Sequence, residues 1–154
     1  MAKNKLVTPF LKWVGGKRQL LPAIVENLPK TYSEYCEPFI GGGAVFLSLQ
    51  PKAAIINDLN SELINVYNVV KNNLEELLID LGKHKNEVDY FYKIRSLDRT
   101  QEFDSLSDVQ KASRVIYLNK TCYNGLYRVN SAGEFNSPFG KYSNPNIVNE
   151  TTLR

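Results

Sequence analysis

The chain has 154 residues, 43% apolar and 23% charged, which is enough for one domain with a hydrophobic core and ordinary for a globular protein. No apolar run approaches the roughly 20 residues of a membrane-spanning helix, and "MAKNKLVTPF" lacks the features of a secretory signal, so a cytoplasmic location is expected. The net charge of +3 permits an anionic partner without requiring one, while Cys36, Cys122 and His84 show no metal-ligand spacing, so free, partly buried thiols and no metal are expected.

In chain order, "TPFLKWVGGKRQLLPAIVENLP" predicts a short entry, a Gly-Gly turn and then a helix. Leu20, Leu21, Ile24, Val25 and Leu28 recur at helical spacing, Lys17 falls near the first turn and Pro29 closes the segment. "YSEYCEPFI" predicts a strand that runs into three glycines, and "GAVFLSLQ" predicts a helix ending near Pro51. "KAAIINDLN" predicts a second strand stopped by Asn57 and Asp58. The stretch 61–84 predicts one helix capped by Ser61, with an apolar stripe of Leu63, Val66, Tyr67, Val70, Leu74 and Leu77. Helices alternating with strands argue for a parallel sheet of the Rossmann-like kind.

Beyond a boundary near residues 80–90 the pattern changes. Helices with polar connections are predicted as far as "TCYNGL", and "YRVN" and "EFNSPF" flank "SAG" as the arms of a hairpin.

Four stretches carry chemistry. In "EPFIGGGAVF" a strand, a glycine turn and a helix allow a ligand to approach backbone closely, because glycine lacks a Cβ. The spacing is neither G-x-G-x-x-G, which argues against a dehydrogenase, nor a P-loop. The same glycines are equally readable as a helix-capping turn. Asp58 follows the second strand, where an acid accepts from ribose hydroxyls; the alternative is a cap or an Asx turn. The two features together point to a nucleoside ligand with little need for phosphate contacts, a description that S-adenosylmethionine fits. In "KWVGGKRQL", Lys12, Lys17 and Arg18 flank an exposed Gly15-Gly16 turn beside Trp13. Lys17 there either meets a ligand carboxylate or decorates a basic surface turn. In "NKTCYNGLYRVNSAGEFNSPFGKY", Tyr123, Tyr127, Phe135, Phe139 and Tyr142 alternate with Lys120, Arg128 and Lys141. That mixture suits base stacking and groove contacts, or a hairpin whose aromatics pack across its arms.

Together, "FLKWVGGKRQLL", "EPFIGGGAVF", "INDLN" and "YNGLYRVN…GEFNSPFGKYSNP" resemble the Dam-type family of adenine-N6 DNA methyltransferases, with greatest likeness to the bacterial members acting on GATC. The resemblance implies an α/β fold: a partial Rossmann-like S-adenosylmethionine-dependent methyltransferase sheet with a helical plus β-hairpin target-recognition insert. It implies residues 1–85 as part of the cofactor domain, 86–146 as the recognition region and 147–154 as the return to the catalytic domain.

It implies that Trp13, Gly15, Gly16 and Lys17 line S-adenosyl-L-methionine, that Phe39, Gly41, Gly42 and Gly43 form its loop, and that Asp58 takes the ribose. Double-stranded DNA is the implied partner. Tyr123 and Asn124 would enter the base stack, Leu126, Arg128 and Pro138 would touch bases, and Arg128 would read guanine.

Such enzymes use an Asp-Pro-Pro-Tyr motif on a base turned out of the duplex. Its Asp and a backbone carbonyl accept the N6 hydrogens and draw the lone pair out of the ring. These residues contain no Pro-Pro pair. The implication is that they are the N-terminal part of such an enzyme, hold no catalytic residue, are inactive alone, and self-associate through uncovered sheet. A non-enzymatic module that binds DNA or cofactor is the rival reading.

Overall fold

The computed structural model describes residues 3–154. A 3-10 turn, Lys17–Leu20, leads into helix α1, Leu21–Asn27, which ends as Leu28 turns extended ahead of Pro29. Strand β1, Tyr35–Glu37, runs into the glycine loop and helix α2, Ala44–Leu49. Strand β2, Ala54–Ile56, follows. It pairs parallel with β1 in the register Tyr35↔Ala54, Cys36↔Ile55, Glu37↔Ile56, with α2 in the crossover. The pairing continues into the loops: Asn57 N–H donates to the Glu37 carbonyl at 2.9 Å, and Ile40 N–H to the Asn57 carbonyl at 2.8 Å. This brings the glycine loop beside the segment that carries Asp58.

The stretch 61–84 is two helices, α3 (Ser61–Asn72) and α4 (Leu74–Leu81), where one was expected. Asn73 breaks the run at φ −135°, ψ 40°. Asparagine competes for the backbone with its own side chain, and three of the four residues 71–74 are Lys or Asn. The cap is Asn60, whose side chain accepts from Leu63 N–H at 3.0 Å, and not Ser61. The predicted stripe does face inward: Leu63, Val66, Tyr67 and Leu77 are buried, with Val70 and Leu74 packed against them.

Helix α5 (Val88–Ser96), a 3-10 turn (Leu97–Arg99), the short α6 (Glu102–Ser105) and α7 (Asp108–Thr121) follow. Ser107 and Gln110 form a capping box at the start of α7. Helix α7 is the spine: Ala112, Val115, Ile116, Tyr117 and Leu118 are buried, and it packs on both α3 and α4. The hydrophobic core therefore runs without interruption across residues 80–90.

Past a further 3-10 turn, Tyr123–Gly125, residues 127–139 fold back as a hairpin held by narrow bridges, Val129↔Phe135 and Cys122↔Phe139, without named strands. Its turn is the expected "SAG": Gly133 N–H donates to the Asn130 carbonyl at 3.0 Å, and Asn130 N–H to the Glu134 carbonyl at 2.9 Å. Gly133 has φ +81°, the left-handed residue that closes a three-residue hairpin loop. Helix α8, Glu150–Leu153, ends the chain.

Both cysteines are free; Cys36 is exposed on β1, where partial burial was expected, and Cys122 is buried. Leu20, Val25, Ile55 and Leu59 are exposed, so the first 3-10 turn, α1, β2 and the loop after it leave apolar surface uncovered. Among the described residues, no helix is long and apolar enough to cross a membrane, and no group of three or more His, Cys, Asp or Glu side chains is placed to hold a metal ion.

Candidate functional site

A cleft of about 200 Å³ opens where the Gly-Gly turn, the glycine loop and the end of β2 meet. Eight of the nine residues expected to line a cofactor come together there: Trp13, Gly15, Gly16, Lys17, Phe39, Gly41, Gly42 and Asp58. Gly43 does not line it. It caps α2 at φ +73°, and a Cβ there would sit 2.6 Å from the Tyr67 hydroxyl, so glycine is required for packing behind the cleft. The capping reading therefore holds for Gly43. Gly41, at φ +52°, does face the cleft, where an added Cβ would come within 3.2 Å of the Trp13 ring.

Asp58 is fixed by the loop it faces. One carboxylate oxygen accepts from Gly41 N–H at 2.9 Å, and the other accepts from Asn60 N–H at 3.1 Å in an Asx turn. Each carboxylate oxygen has a second lone pair, so Asp58 retains acceptor capacity toward the cleft. The Tyr67 hydroxyl donates to the Gly41 carbonyl at 2.9 Å, so both polar groups of that peptide are held. Burial is the main cause, and the charges of Glu37 and Asp58 assist, in pushing the Tyr67 hydroxyl well above its ordinary pKa, so it stays a donor.

Lys17 is tied down on the chain's own side. Its ammonium donates to Glu37 Oε1 at 2.7 Å and to the Phe39 carbonyl. One of its three donors remains for the cleft. Glu37, only 5% exposed, was not singled out from sequence, although it opens "EPFIGGGAVF". Its second oxygen accepts from the Tyr35 hydroxyl at 2.8 Å and from Phe46 N–H at 3.2 Å. Phe46 is the third residue of α2, and Gly43 has no side chain with which to cap that helix. A strand carboxylate thus does the work of the missing cap. A signal was available in the sequence: an acid at a strand end, followed by a helix whose N-cap is glycine.

Trp13 stacks on Tyr127 of the hairpin, ring centroids 4.8 Å apart and planes at 19°. The strip carrying Trp13 is clamped by Asn119 on α7, also missed from sequence. Asn119 Oδ1 accepts from Lys12 N–H at 3.0 Å, and its Nδ2 donates to the Lys12 carbonyl at 2.8 Å and the Gly125 carbonyl at 3.0 Å. A polar residue in the last turn of a helix with its amide buried carries no sequence signal of its own.

The five residues expected to meet DNA, Tyr123, Asn124, Leu126, Arg128 and Pro138, are all exposed. Tyr123 N–H donates to the Pro138 carbonyl at 2.8 Å, which places the two side by side. Asn124 has φ +56° in the turn before the hairpin. Arg128 Nε donates to Asn136 Oδ1 at 2.7 Å, so the guanidinium is oriented across the two arms. Tyr127 and Phe135, by contrast, are buried and meet edge to face at 5.2 Å, the cross-arm packing that was the alternative reading.

Comparison with known proteins decides the family. The sequence model of the D12 class N6 adenine-specific DNA methyltransferases matches residues 13–154. This chain belongs to that family. It is 49% identical to the type II methyltransferase M1.LlaDCHI of Lactococcus lactis subsp. cremoris, over 99% of this chain and 55% of the relative. It is 45% identical to the type II methyltransferase M.MjaIII of Methanocaldococcus jannaschii, over 96% of this chain and 57% of the relative. It is 40% identical to the DNA adenine methylase of Escherichia coli K12, over 94% of this chain and 51% of the relative. The D12 chain thus spans about half the length of the curated relatives it matches.

Proposed function

We propose that the protein carrying these residues is an S-adenosylmethionine-dependent adenine-N6 DNA methyltransferase acting on GATC in duplex DNA. In this reading residues 1–85 are part of a Rossmann-like cofactor domain, 86–146 recognise the target, and 147–154 lead back toward the catalytic part. The observation that carries the reading is the cleft: an acid with spare acceptor capacity, a cation and uncovered glycine backbone face one small space.

The fit to the cofactor is chemical. Asp58 suits ribose hydroxyls and the free donor of Lys17 suits a carboxylate. Phe39, 71% exposed at the cleft edge, and Trp13 offer apolar surface to the adenosyl group. When bound, the cofactor supplies an electrophilic methyl group on a sulfonium. The chain's residues bind and orient it; Tyr123 and Asn124 hold open the base stack, and Leu126, Pro138 and Arg128 read bases. The 154 residues contain no Asp-Pro-Pro-Tyr, so by themselves they bind without transferring methyl, and their exposed Leu20, Val25, Ile55 and Leu59 drive self-association.

The test is transfer of tritiated methyl from S-adenosylmethionine. The full protein is expected to label a GATC duplex and to spare one in which each adenine is N6-methylated beforehand. Equal labelling of both duplexes, or none of either, sinks the reading. The 154 residues alone are expected to show blank counts and a polydisperse light-scattering profile.

A further inference from the structure

The hairpin reaches the cleft through one contact: Tyr127, which does not line the cleft, stacks behind Trp13, which does. Tyr127 is 8% exposed and opens the first arm of the hairpin; its neighbour Arg128 faces solvent. One face of its ring stacks on Trp13, which also meets the glycine loop: Trp13 Cδ1 lies 3.2 Å from where a Cβ on Gly41 would stand. The Tyr127 hydroxyl donates to Glu62 Oε2 on α3. Burial first, and the Glu62 charge second, push this hydroxyl far above its ordinary pKa, so the donor is permanent.

The second arm is fastened to the same anchor. Glu62 Oε1 faces the guanidinium of Arg114 at 3.7 Å, and Arg114 is 1% exposed. Arg114 Nη2 pairs with Asp98 Oδ2 at 2.7 Å, and that oxygen accepts from Phe135 N–H at 2.7 Å. Phe135 in turn packs on the Tyr127 ring. A closed bracket results, running from Tyr127 through Glu62, Arg114 and Asp98 to Phe135 and back. Trp13 is the only cleft residue stacked on it.

Of the bracket's polar links, Tyr127–Glu62 is hydrogen-bonded and Arg114–Asp98 is a close pair at 2.7 Å. Glu62 and Arg114 meet by charge alone at 3.7 Å, Arg114 Nη1 having no hydrogen-bond partner. The bracket's packed contacts are not continuously deformable. A shift of the hairpin on DNA therefore moves the Tyr127 ring, and the ring moves Trp13 against the glycine loop. By linkage the reverse holds to the same degree.

We propose that Tyr127 is a positioning residue that makes cofactor binding and DNA binding cooperative, through its stack on Trp13 and its anchor on Glu62. This rests on the cofactor and DNA reading above. The role requires an aromatic ring at 127 for the stack and a hydroxyl for the anchor, so each can be removed separately.

The experiment measures calorimetric affinity of the full protein for S-adenosylhomocysteine, alone and with a saturating GATC duplex. The ratio of the two affinities is the readout. A merely structural loss would weaken both and leave the ratio unchanged. The unaltered protein is expected to bind about 5-fold or more tightly with DNA present, the low end of ordinary coupling between sites. Tyr127→Leu, which keeps apolar bulk and loses the ring, is expected to bring the ratio close to one. Tyr127→Phe and Glu62→Ala, which keep both rings and lose the anchor, are expected to lower it about 2-fold or more. If Tyr127→Leu does not fold, these two variants decide. A ratio near one in the unaltered protein, or an unchanged ratio in the folded variants, overturns the proposal while leaving the cofactor reading intact. Failure of the unaltered protein to bind S-adenosylhomocysteine at all overturns both.

Discussion

Replacing Glu37 tests how the cleft is built. The structure assigns it three interactions that Glu37→Ala would remove. The bond to Phe46 N–H caps α2 and is worth about 1 kcal/mol, as other N-terminal caps are. The Tyr35 hydroxyl, left without its carboxylate, loses about 1 kcal/mol. The Lys17 pair adds at most about 1 kcal/mol, because the lysine side chain is 32% exposed and water screens it. The sum is about 3 kcal/mol. At about 2–4 °C per kcal/mol for a protein of this size, the melting temperature should fall by about 6–12 °C. Urea denaturation gives the free energy and calorimetry the midpoint. Glu37→Gln separates charge from shape: it keeps one acceptor and is expected to recover about half the loss. Lys17, left with the Phe39 carbonyl but without its carboxylate, should also weaken cofactor binding in the alanine variant beyond any global loss. A Glu37→Ala protein within about 0.5 kcal/mol of the original would show that the strand carboxylate neither caps α2 nor steadies the loop, and would refute the reasoning.

Gly43→Ala should destabilise by about 2 kcal/mol, from left-handed backbone on a residue with a Cβ and from displacement of the Tyr67 hydroxyl, with little direct effect on cofactor affinity; a stable variant with abolished binding would return Gly43 to the cleft. His84, stacked on Tyr117 and bonded to Tyr90 and Ser113, is pushed down to about 4, mainly by burial. The unfolded chain binds a proton there near the ordinary 6.5 and the folded chain does not, so stability is full above that value and falls as pH drops toward 4, by up to about 3 kcal/mol; an unaltered acid slope in His84→Gln would assign the loss to other groups. Asp58→Ala should weaken cofactor binding by about 10-fold or more, the scale of a charge-assisted hydrogen bond, and unchanged calorimetric affinity would reduce Asp58 to its Asx turn. Arg128→Ala in the full protein should relax preference at a guanine by about 1–3 kcal/mol, whereas a uniform loss over all sequences would make it a phosphate contact.

Much of this protein is local, and local features are legible in a sequence. Helix–strand–helix–strand–helix order follows from apolar periodicity and from the turn residues between the runs, and the "SAG" hairpin turn follows from the freedom of Gly133. Of the eight residues gathered at the cleft, the glycines, the strand-end acid and the lysine turn with its tryptophan were readable because their types carry their chemistry, whereas Phe39 came only from the family resemblance. Other features exist only through contacts distant in sequence. Ser61 is as good a cap by preference as Asn60, and only the path of the chain after Asp58 selects between them. The break at Asn73 sits inside an unbroken apolar stripe, because packing both α3 and α4 on α7 outweighs continuity. Glu37, Asn119, Glu62 and Tyr127 act across 9 to 107 residues of chain. A buried carboxylate or amide takes its role from whichever donors the fold delivers to it, since each polar group removed from water must find a partner. The sequence alone determined the elements and the chemical character of the loop. The tertiary structure decided which of those glycines face the cleft, and that a tyrosine of the hairpin stacks behind the tryptophan lining it.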